Sequence, residues 1–139
     1  MLEKKYQDRD ILNKFGICKG HCIAFAGDIQ QFDQDLLHRV IERTRLPLAT
    51  EDEIPDIVLA VVDDTTDTIA LLKKWRQHLK LNGSIWLLSS KRDQPHYVNQ
   101  RELIVAGRQA GVVDNKICSV SPTISAMRFV NRKKDQSLY

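Results

Sequence analysis

Three short apolar runs set the limits on this fold: HCIAFA at 21–26, DIVLAVV at 56–62 and SIWLLSS at 84–90. The second is unbroken by polar residues, as expected of a strand covered on both faces, and falls far short of a membrane span. The segments between the runs repeat apolar residues at helical spacing. Leu36, Leu37, Val40 and Ile41 form one stripe, and Ile69, Leu72, Trp75 and Leu79 another. Strands that alternate with helices pair in parallel through right-handed crossovers, which puts helices on both sides of a sheet. The pattern predicts a three-layer, doubly wound, Rossmann-like α/β domain.

Local punctuation sharpens the boundaries. A polar helical segment is expected around 7–15, closed by the glycine-bounded GICKG. Asp33 is the expected cap of a helix running to about Arg43, and Asp64 or Thr66 that of the next, which Asn82–Gly83 should end. LPLA at 46–49 reads as a short strand, which Pro47 confines to an edge. Asn99 and Glu102 form a capping pair for a helix that reaches Ala110 and stops at Gly111. The tail differs in kind: NKICSVS, Pro122–Thr123 and ISAMRFVNR read as a closing hairpin.

At 139 residues the chain is expected to form one domain, large enough to hold a core without disulfides or metal. Its three cysteines, with no hydrophobic segment behind the charged MLEKKYQDRD, predict free thiols in a reducing cytoplasm. The net charge of +3 hides a division. Residues 1–72 carry 8 Lys/Arg against 14 Asp/Glu, and residues 73–139 carry 13 against 4. Such a division either orients the molecule towards a charged partner or solvates different faces, and the second is the expectation.

Two resemblances add to this. The element order with its final hairpin looks like a shortened class I methyltransferase, which implies six strands in the order 2-1-3-4-6-5 with the last antiparallel. LKLNGSIWLLSSKR followed by AGVVDNKICSVSPTISAMRFVNRK is similar to a bacterial family known as domain of unknown function 3052. The likeness covers roughly 54–133, and KFGICKG resembles the family's opening. Ser90 stands where a proline commonly precedes the lysine, here Lys91. Ile124 and Ala126 replace the tryptophan and glycine that commonly flank the serine, here Ser125. The family name implies a fold and no activity.

The loop after the first strand, AFAGDIQQF, is where such folds hold a nucleotide or S-adenosylmethionine. Cofactor loops need several glycines so that backbone can approach the ligand. Gly27 stands alone and Asp28 repels phosphate, so a tight turn is expected instead. The default ligand position lies at the carboxyl ends of the strands, with Asp28 on one lip and Asp63–Asp64 on the other. No metal is expected there, nor at CKGHC, where no second ligand pair follows at usual spacing. Lys91 and Arg92, beside a loop with His96 and Tyr97, form the leading site, suited to phosphate or carboxylate. Ser125 is expected elsewhere along the sheet edge, and Arg128 on its flank.

No catalytic motif accompanies these residues, and His21, His38, His78 and His96 are scattered, so no catalytic residue is assigned. The reading is a non-catalytic domain that binds a small anionic ligand, a protein partner or a second copy of itself, without membrane contact or cofactor. A minimal enzyme using S-adenosylmethionine is the alternative. Weak nucleic-acid binding through RFVNRKK is a third.

Overall fold

The computed structural model describes residues 11–29 and 34–132. Helix α1, described over 11–15, leads into β1 (Ile23–Ala26), α2 (Leu36–Thr44), β2 (Ile57–Val61), α3 (Thr68–Arg76) and β3 (Ser84–Ser90). Then follow α4 (Gln100–Ala110), β4 (Val112–Ser119) and β5 (Ile124–Asn131). The five strands lie in the order β1-β2-β3-β5-β4. The first three run parallel, and β5 is antiparallel to both β3 and β4. This is an α/β fold on a mixed sheet.

Six strands were expected and five form among the described residues. Residues 46–49 run beside β1 and reach it through one backbone hydrogen bond, Ala49 N–H to the Ile23 carbonyl at 2.8 Å. Pro47 has no N–H to extend a ladder, so the segment stays irregular. With that strand removed, the expected order becomes the observed one. β1 also begins two residues later than expected. Cys22 lies before it, its carbonyl accepting from Asp56 N at 2.8 Å.

Caps account for the helix limits. α3 starts from Asp67, whose carboxylate accepts from Ala70 N at 3.1 Å, rather than from Asp64 or Thr66. It ends at Arg76, before the expected Asn82–Gly83. Gly83 serves packing instead, since a Cβ there would lie 2.7 Å from the Asp56 carbonyl oxygen. α4 is bounded as expected, by Asn99, which accepts from Arg101 N at 2.8 Å, and by left-handed Gly111. The expected cap Asp33 lies outside the described residues, as do positions 7–10 of the N-terminal helix; Asp35 precedes α2.

Each sheet face carries its own core. On one, Phe15, Ile17, Leu36 and Val40 pack against Leu59, Trp86 and Leu88. On the other, Leu72, Leu103 and Ala110 cover Val58, Ile85, Leu87 and Phe129. Trp86 anchors the first: its ring meets Phe15 edge-on at 5.2 Å, and its Nε1–H donates to the Phe15 carbonyl at 3.2 Å. On the second face α4 sits close to the sheet at Gly107, where a Cβ would fall 2.5 Å from the Phe129 ring.

Candidate functional site

The loop after β1 turns at Gly27, whose φ is +78°. A Cβ there would lie 3.2 Å from the Val61 carbonyl oxygen and 3.3 Å from Val61 Cβ. The glycine therefore meets two local demands, a left-handed backbone and a close pass over β2. Asp28 follows it, exposed to solvent.

Asp63, at the end of β2, is held within its own turn. Its Oδ1 accepts from Thr65 Oγ1 at 2.6 Å, Thr65 N at 2.8 Å and Thr66 Oγ1 at 3.2 Å. These bonds, the Thr65 hydroxyl first, hold its carboxyl below the usual aspartate range. Asp64 reaches across to the loop after β3, where its Oδ1 lies 3.0 Å from His96 Nδ1.

A cleft of about 440 Å³ opens one strand further along, at the carboxyl end of β3. Ser89, Ser90, Lys91, Arg92, Tyr97 and Ser125 are among the residues that line it, and Asp28 and Asp63 are not. Ser125 thus shares the site with Lys91 and Arg92 rather than lying elsewhere on the edge. The register explains this: β5 pairs directly with β3, setting Ser125 opposite Ser89. Arg128 lies nearer the other end of β5, opposite Trp86.

Lys91 and Arg92 stand in different circumstances. Lys91 is stitched to the hairpin by its backbone N–H, which donates to the Thr123 carbonyl at 2.8 Å. Its Nζ donates to Ser119 Oγ at 2.6 Å, and that hydroxyl passes on to the Ser121 carbonyl at 3.2 Å. Arg92 is exposed, with no hydrogen-bond or ion-pair partner among the described residues. Gln94 and Gln100, also in the lining, add amide donors that sequence reasoning missed. Gln100 is the first residue of α4, so the positive end of that helix opens at the rim. Asp93 is the one acid in the lining.

CKGHC forms a turn, in which Cys18 N donates to His21 Nδ1 at 3.0 Å and Cys18 Sγ approaches the Gly16 carbonyl at 3.8 Å. Among the described residues no group of three or more His, Cys, Asp or Glu side chains is placed to hold a metal ion. No helix among them is long and apolar enough to cross a membrane.

Solved structures with this architecture include methyltransferases. A SAM-dependent methyltransferase from Aquifex aeolicus superposes with a TM-score of 0.61 at 10% identity, over 87% of each chain. The CcbJ methyltransferase from Streptomyces caelestis gives 0.55 at 8% identity, over 90% of this chain and 89% of its own. CalO1, a methyltransferase of calicheamicin biosynthesis in its SAH-bound form, gives 0.62 at 14% identity, over 94% of this chain and 55% of its own. At such identities the likeness is one of fold. No curated protein matches the sequence. The sequence model of the family described as protein of unknown function DUF3052 matches residues 12–133, from α1 to just past β5, and the chain belongs to that family.

Proposed function

We propose that the chain is a binding domain for a small anionic ligand, held in the cleft between β3 and the β4–β5 hairpin. The observation that carries this is Arg92, a cation without a described partner in the lining of a 440 Å³ cleft that Lys91, Gln94, Tyr97 and Gln100 also line. A planar guanidinium suits a carboxylate or phosphate through paired N–H bonds, and Lys91 adds charge while its ammonium stays anchored on Ser119. Tyr97 supplies an apolar surface with a hydroxyl tip. Binding rather than catalysis is favoured by how the ionisable groups at the strand ends are used. Lys91 ties down the hairpin, Asp63 its own turn and Asp64 the neighbouring loop.

Calorimetric titration with inorganic phosphate and with citrate tests this. Saturable binding of either, weakened about tenfold or more in Arg92→Ala, is the expected result. Equal affinity in that variant, or no heat with either anion, would remove the reading.

The second reading is a cofactor-binding, methyltransferase-like domain, favoured by the likeness to a structure in SAH-bound form. It predicts that S-adenosylhomocysteine at 100 times its dissociation constant stabilises the chain by about 2.7 kcal/mol. A flat thermal profile with that compound excludes it.

A further inference from the structure

A second cleft, of about 660 Å³, lies at the opposite end of the sheet. Ile57 and Ser84, the first residues of β2 and β3, are part of its lining, which places it at the amino ends of the parallel strands. Phe15 and Trp86, both buried, back its lining, and Leu81 is exposed within it. Lys14 on α1, Lys80 in the loop before β3, Lys116 on β4 and Arg128 on β5 are in its lining, as is His21, and Asp56 is the one acid among the lining residues. That acid is already engaged, accepting from Cys22 N at 2.8 Å and from Lys80 Nζ at 3.3 Å.

A local irregularity brings two of the cations together. β4 and β5 keep step up to the pair Asp114–Phe129, and the next pair is Lys116–Arg128. Asn115 is the extra residue of a β-bulge. In a regular ladder Asn115 would face Arg128, and Lys116 would point to the other side of the sheet. The bulge moves Lys116 to the side of the cleft, directly opposite Arg128, which in turn stands opposite Trp86 on β3. Like charges placed directly across a ladder repel. Neither Lys116 nor Arg128 has a hydrogen-bond or ion-pair partner among the described residues. His21 complements them, because its Nδ1 accepts from Cys18 N and its Nε2 therefore carries the hydrogen.

We propose that this cleft is a second anion site, for a small molecule carrying a diphosphate or a similar pair of adjacent anionic groups. One carboxylate would leave one of the two opposed cations uncompensated, whereas a diphosphate answers both and removes the repulsion between them. Leu81, an exposed apolar side chain in the same lining, gives the remainder of such a molecule an apolar surface to lie against. The site shares no residue with the cleft at Arg92, so the two stand or fall separately.

The test is an NMR titration of the isotope-labelled full chain with inorganic pyrophosphate at constant ionic strength. Saturable shifts at Asn82, Lys116 and Arg128 are expected. Arg128→Gln and Lys116→Gln should each weaken binding, read at these three residues, about tenfold or more. Lys116 is exposed, so its variant carries the test even if Arg128→Gln fails to fold. Shifts confined to residues 89–100, unchanged affinity in Lys116→Gln, or no saturable shift would each overturn the proposal.

Discussion

Asp64 Oδ1 and His96 Nδ1 meet at 3.0 Å, joining the loop after β2 to the loop after β3. His96 takes part from a left-handed backbone, with φ at +63°. The contact latches the segment that carries Arg92 and Tyr97. Both side chains are more than half exposed, which keeps the pair weak. Asp64→Ala should therefore move Tm by no more than about 3 °C. Amide exchange within residues 91–98 should quicken all the same. Unchanged exchange there would show that the loop is held by its other bonds.

Gly27→Ala should destabilise the fold by about 1–2 kcal/mol, since an alanine would be forced into a left-handed backbone and against Val61. Thermal unfolding would read this as a drop of roughly 4–10 °C. A stable variant would mean that the turn can rearrange, and would reopen the loop as a cofactor cradle.

Trp86→Phe keeps an aromatic ring against Phe15 and removes the indole N–H. The buried Phe15 carbonyl loses its donor, at a cost of about 1–3 kcal/mol. A lower urea midpoint with an unchanged slope is the expected signature.

Asp63 should leave a mark on acid stability. Its folded-state pKa is lowered by bonds from Thr65 and Thr66, so its contribution is complete above the unfolded value of about 3.9. That contribution fades as the pH falls through the lower, folded value. Asp63→Asn should flatten the acid limb of the stability curve and leave its shape above pH ~5 alone. An identical acid limb in the variant would show that the turn bonds persist in the unfolded chain.

The cysteines should separate by reactivity. Burial pushes the Cys22 thiol up, and the nearby Glu53 and Asp56 charges add to the effect against an opposing Lys80. Less thiolate forms at a given pH, so Cys22 should react with maleimide at pH 8 more slowly than exposed Cys18. Equal rates would contradict the half-buried placement of Cys22.

What the sequence revealed, and what it concealed, follows from how local each signal is. β2 and β3 are read directly from DIVLAVV and SIWLLSS, because a strand buried on both faces needs apolar residues throughout. The limits of α4 are legible because Asn99 and Gly111 act on their own neighbours. Leu79 misled, since it packs into the core from outside α3 and mimics one more helical turn. The cation pair Lys91–Arg92 was visible, but not its partners: Ser125 joins them through the β3–β5 register, which no local pattern encodes. The bulge at Asn115 was hidden for the same reason, and with it the approach of Lys116 to Arg128.

β5 lies between β3 and β4 although it follows both in the chain. Until residues 124–131 leave the ribosome, β3 offers a bare edge, and neither cleft has its Ser125 or its Arg128. Both clefts are therefore finished in one late event, the insertion of a single strand. A nascent chain halted before that point would expose a long apolar edge to any strand that could pair with it.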